Sequence, residues 1–551
     1  MSTSAYDPNA MSKARSRTPL PESVDVAIVG CGLGGLLAGA MLARAGHRVA
    51  CFDGHYVAGG CATQFRRRAS EGFFNFDVGL HYVGDCDGDG AIPASLREVG
   101  VEVDFEPMDP DGFDVLSFPG VEFRVPVGHD AYEARLRSTF PGEGRAIGKY
   151  MRLLREVDHM IGFMARRGER QDLRTGLEVL LRGRSMARAM RRTMKEVLDD
   201  ITDNALLRAV LLGQHGDYGL PPSQVSALLH TGLVNHYLRG AWYPRGGGQV
   251  IADRIAEVIE ARGGTIHLRR PVERILVEHG RAVGVRTAPT SKNDAQEVRA
   301  KVVLSNADLK RTWLELVGPE HLDAAQRSTA EGWQMGGALF MTCLGVRGDL
   351  RDLGMGQANW WVFDSPDVEG VYRDEAGASG RPAVRGVYIT SASLKDPGNP
   401  LHHAPEGHQS LEIMTLVPWD PARWGAPDAS DEAVMGWDYK RDESYRSVKA
   451  AVEADVLTHA ERVFPGLGER IVYRESATPL THTRFTRASA GTGYGLASTP
   501  AQFMEHRPGY RGPVDGLYQC GASTRAGHGI VGSLRSGRAA GRRILRALDA
   551  D

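Results

Sequence analysis

The residues with the plainest chemical address are glycines. Residues 30–35 read Gly-Cys-Gly-Leu-Gly-Gly, so Gly30, Gly32 and Gly35 stand in a GxGxxG spacing. The run at 24–29, VDVAIV, is short, apolar and β-branched, which favours a buried parallel strand. LLAGAMLARAGH then suits a helix, and RVACFD a second strand ending on Asp53. In that setting Gly30 permits the tight turn, Gly32 lets the backbone approach a pyrophosphate, and Gly35 allows close helix–strand packing. The helix N-terminus near Leu33 turns unpaired N–H groups and its positive dipole end toward the phosphates. Asp53, 18 residues after Gly35, is placed to accept hydrogen bonds from an adenosine ribose, and its charge disfavours a 2′-phosphate there. FAD and NAD both satisfy this motif.

Two further segments favour FAD. The doublet Gly59-Gly60 supplies a second backbone segment beside the first helix, suited to a long dinucleotide with a ribityl chain. At the far end, residues 516–545 read as a short strand at 517–520, then GAST, a glycine-rich loop and a helix from about Val531. That is a second helix N-terminus, aimed where a reduced flavin carries negative charge at its N1–C2=O edge. No second GxGxxG follows a strand, so no dedicated nicotinamide domain is expected. A reduction would draw electrons from a transient reductant such as NAD(P)H or from a partner. A desaturation would pass them to oxygen or a quinone, and an isomerisation or cyclisation is redox-neutral.

These segments lie at both ends of a 551-residue chain, so the residues between them must build another layer. Residues 113–127 alternate and turn at Pro119-Gly120, as a hairpin does. Residues 145–213 are mainly helical in pattern, and 337–346, 385–391 and 410–416 suit strands. TIHLR, VERILVE and RAVGVRT suit further strands, the last two joined by a His279-Gly280 turn. The expected fold class is α/β, an FAD-binding Rossmann-like domain of the glutathione reductase type with an inserted α+β substrate domain. Residues 1–23 are expected to be a disordered tail. The FAD domain takes 24–110, 243–310 and 500–551; the substrate domain takes 111–242 and 311–499, with its helical part at 145–213 able to face a membrane.

Composition excludes several classes. With 42% hydrophobic and 24% charged residues the chain is globular, and a formal net charge of −2 gives no bulk attraction to nucleic acid. The six cysteines form no CxxC pair, so no zinc site is expected; they suit buried thiols in a reducing compartment. The polar N-terminus lacks an apolar signal core, and no run of 18 apolar residues exists to cross a membrane. A cytoplasmic protein is expected, with peripheral contact at the inner membrane face one option. That option rests on residues 182–195, RGRSMARAMRRTMK, six basic residues with Met186, Met190 and Met194 every fourth position. Such a stripe is either a core face backed by solvated arginines or a helix lying on anionic lipid. It lacks the interleaved aromatics of a single-strand nucleic-acid site. His215, His230 and His236, with Asp217 nearby, match no compact metal pattern and read as polar residues of the helical layer. His402, His403 and His408 lie in a Pro/Gly-rich loop and are expected to face solvent.

Across most of residues 24–545 the sequence resembles the phytoene desaturase-type flavoproteins, which include carotenoid desaturases, carotenoid isomerases and retinol saturase-like reductases. The resemblance is carried by Gly30 to Asp53, Gly59-Gly60, FNFDVGLHYVGD at 74–85, YPRGGGQ at 243–249, VERI at 272–275, VVLSNAD at 302–308, ATPLTHTRFT at 477–486 and GASTRAGHGIVG at 521–532. DVGLHYVG is most similar to the saturase-like members. The resemblance implies that Gly30, Gly32, Gly34 and Gly35 hold the pyrophosphate and Asp53 the ribose. His55, Gly59, Gly60, Cys61 and Leu80 would run along the cofactor, and Val272 would offer backbone groups to adenine. Gly521, Ala522, Gly529, Ile530 and Val531 would line the ribityl chain and flavin. The family often carries Glu where Asp53 stands and Arg where His55 stands, which leaves the adenosine-side role of His55 open.

The resemblance also brings the segment after Asp77 and Gly79 close to the flavin. Saturating a C=C bond needs a hydride on one carbon and a proton on the other, and a His or Tyr within reach can give that proton. His81 and Tyr82 are the candidate donor and its partner, and His528 in the C-terminal loop is a third candidate; His482 and Arg484 are weaker ones. The implied activity is FAD-dependent oxidoreduction at carbon–carbon double bonds of a long hydrophobic polyene or isoprenoid, leaning toward saturation. Three rivals stand beside it: a tailoring enzyme that reduces or cyclises a polyene natural product such as a polycyclic tetramate macrolactam precursor, a flavin amine oxidase, and a non-catalytic flavin-binding adapter.

Overall fold

The computed structural model describes residues 14–167, 184–373, 380–426 and 430–550. The strand Ser23–Val29 is buried over its last six residues, as an apolar β-branched run in a central parallel position requires. Val49–Phe52 pairs with it on one side and Glu297–Ser305 on the other, both parallel. Thr265–His267 extends the sheet beyond Val49–Phe52, and Leu517–Gln519 joins Glu297–Ser305, again parallel. The antiparallel hairpin Val272–Glu278 and Arg281–Thr287 completes seven strands. The carboxyl ends of four parallel strands thus deliver Gly30, Asp53, Asn306 and Cys520 to one edge, the edge where open α/β sheets bind ligands.

The helices Leu33–Arg44 and Gly529–Leu548 lie against each other over this edge. A Cβ on Gly34 would sit 3.0 Å from the Ser533 carbonyl oxygen, and one on Gly537 would collide with the Gly34 backbone. Glycine at both positions lets the two ends of the chain meet backbone to backbone.

A second seven-stranded sheet runs Ile471–Ala477, Ala338–Arg347, His408–Val417, Gly386–Thr390, Asn359–Phe363, Asp114–Phe118, Val121–Val125. Its last two strands form the hairpin that turns at Pro119-Gly120, with Gly120 at φ +88°. Helices Gly144–Arg167, Arg184–Arg191, Met194–Asp199, Ala205–Leu212 and Ala227–Leu238 build the helical layer. Residues 168–183, which include the start of the basic stretch, lie outside the described residues. Met194 is fully buried, and Met186 and Met190 pack half-buried on the same core, so the methionine stripe faces inward. No helix among the described residues is long and apolar enough to cross a membrane.

The tail expected over 1–23 ends earlier than that. Residues 1–13 lie outside the described residues, but Arg15 is 5% exposed and its guanidinium grips Glu260 at 2.8 and 3.0 Å. Leu20 packs on the first sheet's core. A paired charge and one apolar anchor suffice to fix this segment. All six cysteines are free, and Cys61 alone is exposed.

Candidate active site

One cavity of about 2880 Å³ runs from the first sheet's edge to the second sheet. Its first end is made of backbone. Gly30 has φ +93°, Gly59 +131° and Gly60 +63°, a region open to glycine at little cost. A Cβ on Gly32 would lie 2.7 Å from Asn306 Nδ2, and one on Gly35 would lie 2.5 Å from the Gly30 carbonyl oxygen. Asn306 Nδ2 itself donates to the Gly30 carbonyl at 3.3 Å, tying two strand ends together. Asp53 accepts from the Cys31 N–H at 2.7 Å and from the His55 N–H at 2.8 Å, one on each carboxylate oxygen. Each oxygen keeps acceptor capacity for a ligand. The helix from Leu33 begins on Gly32, with no side-chain cap and no acid in its first turn. The helix from Gly529, with His528 at its N-cap, is equally uncapped. Both ends line the same cavity, two positive dipole ends awaiting negative charge.

Gly30, Gly32, Gly34, Asp53, His55, Gly59, Gly60, Cys61, Val272, Gly521, Ala522, Gly529, Ile530 and Val531 all border this cavity. Gly521 has φ +100°, and its N–H donates to Ser536 Oγ at 2.8 Å, anchoring the C-terminal loop to its helix. Gly35 sits behind the wall at the helix–strand contact. Leu80 differs from expectation: it is 1% exposed and packs into the first sheet's core, its apolar side chain turned inward while its neighbours face the cavity.

The second end is made of side chains. Tyr82 stacks on Tyr237 at 4.2 Å and 3°, with Tyr388, Trp361, Phe363, Met341 and Met414 around them. The Tyr82 hydroxyl lies 2.7 Å from Asp217 Oδ2 and 3.1 Å from Asp114 Oδ2. Asp114 is fully buried and also accepts from Gln214 Nε2 at 2.6 Å and Asn359 Nδ2 at 2.9 Å. Burial pushes the Asp114 carboxyl up to about 6, against the pull of its hydrogen bonds from Asn359, Gln214 and Tyr82. Burial, then the charge of Asp114, pushes Asp217 up to about 8.

His81 borders the cavity beside Tyr82. Neither ring nitrogen has a hydrogen-bond partner, and burial together with the Lys395 cation brings its pKa down to about 3. It is neutral at pH 7 and offers no imidazolium. His528 is brought down to about 4, chiefly by burial, with its Nε2 3.2 Å from the Asp217 carbonyl.

Beneath the Asp77–Tyr82 segment lies a buried ionic layer. Lys395 donates to the His81 carbonyl, to Thr390 Oγ1 and to Asn359 Oδ1. Asp77 accepts from the Tyr243 hydroxyl and the Gly248 N–H, while its own N–H donates to Glu412 Oε1 at 3.2 Å. Burial raises both carboxyls and lowers the ammonium. His403 and His402 prove to be inside: His403 Nε2 meets Asp396 Oδ2 at 3.0 Å and His402 Nε2 meets Gln64 Oε1 at 3.1 Å. Their apolar ring edges fill the space below this layer rather than facing solvent. His215 pairs with the Tyr372 hydroxyl at 2.6 Å, His230 sits between Tyr150 and Tyr218, and His236 accepts from the Gly84 N–H. No metal-holding group occurs among the described residues.

The family model for flavin containing amine oxidoreductases matches residues 33–339, more than half of the chain. The chain belongs to this family. All-trans-retinol 13,14-reductase of Danio rerio is 28% identical over 492 residues, covering 86% of this chain and 78% of that protein. The neurosporene-forming phytoene desaturase of Cereibacter sphaeroides is 26% identical, covering 95% and 94%. Among solved structures, an oxidoreductase from Methanosarcina mazei superposes with a TM-score of 0.59 at 18% identity over 95% of this chain and 100% of that one. That likeness concerns the fold alone.

In this flavin-containing oxidoreductase, sequence reasoning missed Asp114, Gln214, Asn359, Tyr388, Lys395 and Glu412. A faint signal existed for two of them. Asp114 opens the apolar strand DVLSF and Glu412 interrupts LEIMTLV, and a charge within a buried strand needs a partner.

Proposed function

We propose that the chain is an FAD-dependent oxidoreductase acting on carbon–carbon double bonds of a long hydrophobic polyene or isoprenoid, in the direction of saturation. The observation that carries this is the single cavity of about 2880 Å³. Ordinary small-molecule pockets hold roughly 300–1,000 Å³, so this one takes a dinucleotide and a second long ligand end to end. The glycine cradle fits FAD: Gly30, Gly32, Gly59 and Gly60 leave room for phosphates but not for side chains, and the two uncapped helix ends match its two electronegative regions. FAD bound there would supply hydride exchange at N5. Asp53 would hold the ribose, and Gly521 to Val531 the ring side. The aromatic walls exclude water and align a flat conjugated chain. Tyr82 holds a proton at the cavity face. The relationship to a retinol reductase and a phytoene desaturase supports the polyene class. The two sheets, with the domain limits given from the sequence, would meet at this cavity, and electrons would come from a transient reductant such as NAD(P)H.

The test loads the protein with FAD, photoreduces it without oxygen, adds retinoid or carotenoid polyenes, and weighs the products. A gain of two hydrogens is the expected result. Unchanged mass with altered absorbance would mean isomerisation or cyclisation, the macrolactam-type chemistry included. Peroxide released from simple amines, with polyenes untouched, would move the chain to amine oxidation. Flavin that nothing turns over would make it an adapter.

A further inference from the structure

Two carboxyl groups flank one phenol at the substrate end, and the proposed reaction needs a proton there. Tyr82 has one hydroxyl hydrogen and cannot donate to Asp217 and Asp114 at once, although both oxygens lie within 3.1 Å. With both acids ionised, two like charges would face each other across the Tyr82 hydroxyl, with the Tyr237 hydroxyl as the other donor at Asp217. One carboxyl therefore carries a proton. The partners decide which. Asp114 is wholly buried but takes two amide donors, from Gln214 and Asn359, which stabilise its charge. Asp217 takes no amide, only the Tyr82 and Tyr237 hydroxyls, and borders the cavity beside Tyr82, whereas Asp114 lies behind the wall. Two more polar atoms on this wall lack partners, the Tyr388 hydroxyl and His215 Nε2, both on residues at least nine-tenths buried. Their orphaned state points to a ligand in contact with this wall.

Resting on the C=C reading above, we propose that Asp217 is the proton reservoir for Tyr82 and that ionised Asp114 is the resting acceptor of the Tyr82 hydrogen, which turns to the alkene when substrate fills the cavity. In the step, one alkene carbon receives the hydride that bound reduced FAD would supply, the cofactor ending oxidised, and the π pair forms a C–H bond at the other carbon with the Tyr82 proton. As the Tyr82 O–H bond breaks, the Asp217 O–H bond breaks too and its proton restores the phenol. Asp217 is left as a carboxylate and is reprotonated from solvent once the product has left the cavity. Desaturation runs the same transfers backwards. Burial, then the charge of Asp114, holds the Tyr82 hydroxyl far above the ordinary phenol range.

The groups facing Asp217 are Tyr82, Tyr237 and Tyr388 around the hydroxyl, Asp114 behind them, and Tyr218, Tyr372 and Tyr494 on the far side. His528 touches its carbonyl, His215 is two residues away, and Lys395 is the cation nearest Asp114. None of these supplies a competing positive charge at Asp217 itself. With Asp217 protonated up to about 8, turnover should hold at neutral pH and fall as pH rises through that value.

The test compares the FAD-loaded wild type with Asp217→Asn and Asp217→Glu, by pH profile and by infrared absorption of the protonated carboxyl. Asp217→Asn should lose at least about a hundredfold in turnover with flavin content and KM little changed. It should also lose a protonated-carboxyl band present in the wild type at pH 7. Asp217→Glu should recover part of the rate with a displaced alkaline limb, a result that bulk or folding effects would not give. A wild-type rate and limb in Asp217→Asn would overturn the proposal, as would an unchanged band. The band needs no substrate. If it is lost in Asp217→Asn but no polyene is ever turned over, the oxidoreductase reading fails while the shared proton stands.

Discussion

The two ends of the cavity are built on opposite principles. The cofactor end is backbone brought close by absent side chains: Gly30, Gly32, Gly59 and Gly60 define it, and Asn306 and Asp53 tie it down. The substrate end is side chain brought together by topology. Tyr82, Asp114, Asp217, Asn359 and Tyr388 come from five separate segments, and none is a sequence neighbour of another. A backbone cradle is fixed by glycine conformations and close approach at a few positions. A side-chain cluster depends on every element that contributes to it. The two ends should therefore fail differently when disturbed.

The largest expected effect is at the cradle. Gly32→Val places a branched side chain where even a Cβ would lie 2.7 Å from Asn306 Nδ2. FAD affinity should fall by well over tenfold, more than about 1.4 kcal/mol, while circular dichroism stays close to wild type. Purified variant carrying full flavin would show that the dinucleotide lies elsewhere and would undo the comparison.

Next comes the phenol. Tyr82→Phe keeps the stack on Tyr237 but removes the hydroxyl between the two acids. Turnover should drop by roughly 10²–10⁴ with flavin retained, the usual range for losing a positioned acid. His81→Ala should cost less than about tenfold, because its neutral ring donates no imidazolium proton and Lys395 grips its carbonyl, which alanine keeps. The reverse ranking, measured on the same polyene, would return the donor role to His81.

This asymmetry also explains what was legible in the sequence. GxGxxG, the doublet at 59–60 and the loop at 521–531 are local patterns, each readable within a dozen residues. The parallel strands announced themselves as β-branched runs, and the 113–127 hairpin by its Pro-Gly turn. The substrate end had no local pattern to offer. Asp217 has only His215 as a nearby mark, and Asp114 stands 103 positions earlier with no pattern linking the two. The strands Asn359–Phe363 and Ile471–Ala477 went unread because one is a fully buried aromatic run and the other alternates too weakly to mark a face. The Pro/Gly-rich stretch around His402 and His403 has the composition of a surface loop, yet both rings find buried partners in Gln64 and Asp396.

A third disturbance separates stability from chemistry at the substrate end. Asp114→Ala leaves the amides of Gln214 and Asn359 without their acceptor, at about 1–3 kcal/mol for each buried donor stranded. A loss of about 2–6 kcal/mol in denaturant melts is expected, with Asp114→Asn milder. Asp217 adds a pH term of known sign. Its pKa in the fold, about 8, lies above the ordinary carboxyl value, so the folded state holds the extra proton between roughly 4 and 8. Stability is fullest below that window and is lost as pH rises through it. Asp217→Asn should flatten that slope; an unchanged slope would assign it to other groups.

The smallest effect concerns the helical layer over the substrate end. Residues 182–195 looked able to lie on a membrane, but Met186, Met190 and Met194 spend the apolar face on the core. Among the described basic residues of the stretch, Arg188, Arg191 and Lys195 are exposed, Lys195 paired with Asp199 at 2.8 Å. Each basic residue near an anionic surface contributes about 1 kcal/mol, within a screening length of about 10 Å at 0.1 M salt. Liposome flotation should therefore recover little protein, only with acidic lipid, and none in high salt. Strong recovery on neutral lipid would mean that the layer opens to expose its methionines. The substrate end would then be a movable lobe rather than a fixed wall, and its contrast with the rigid cofactor end would be sharper still.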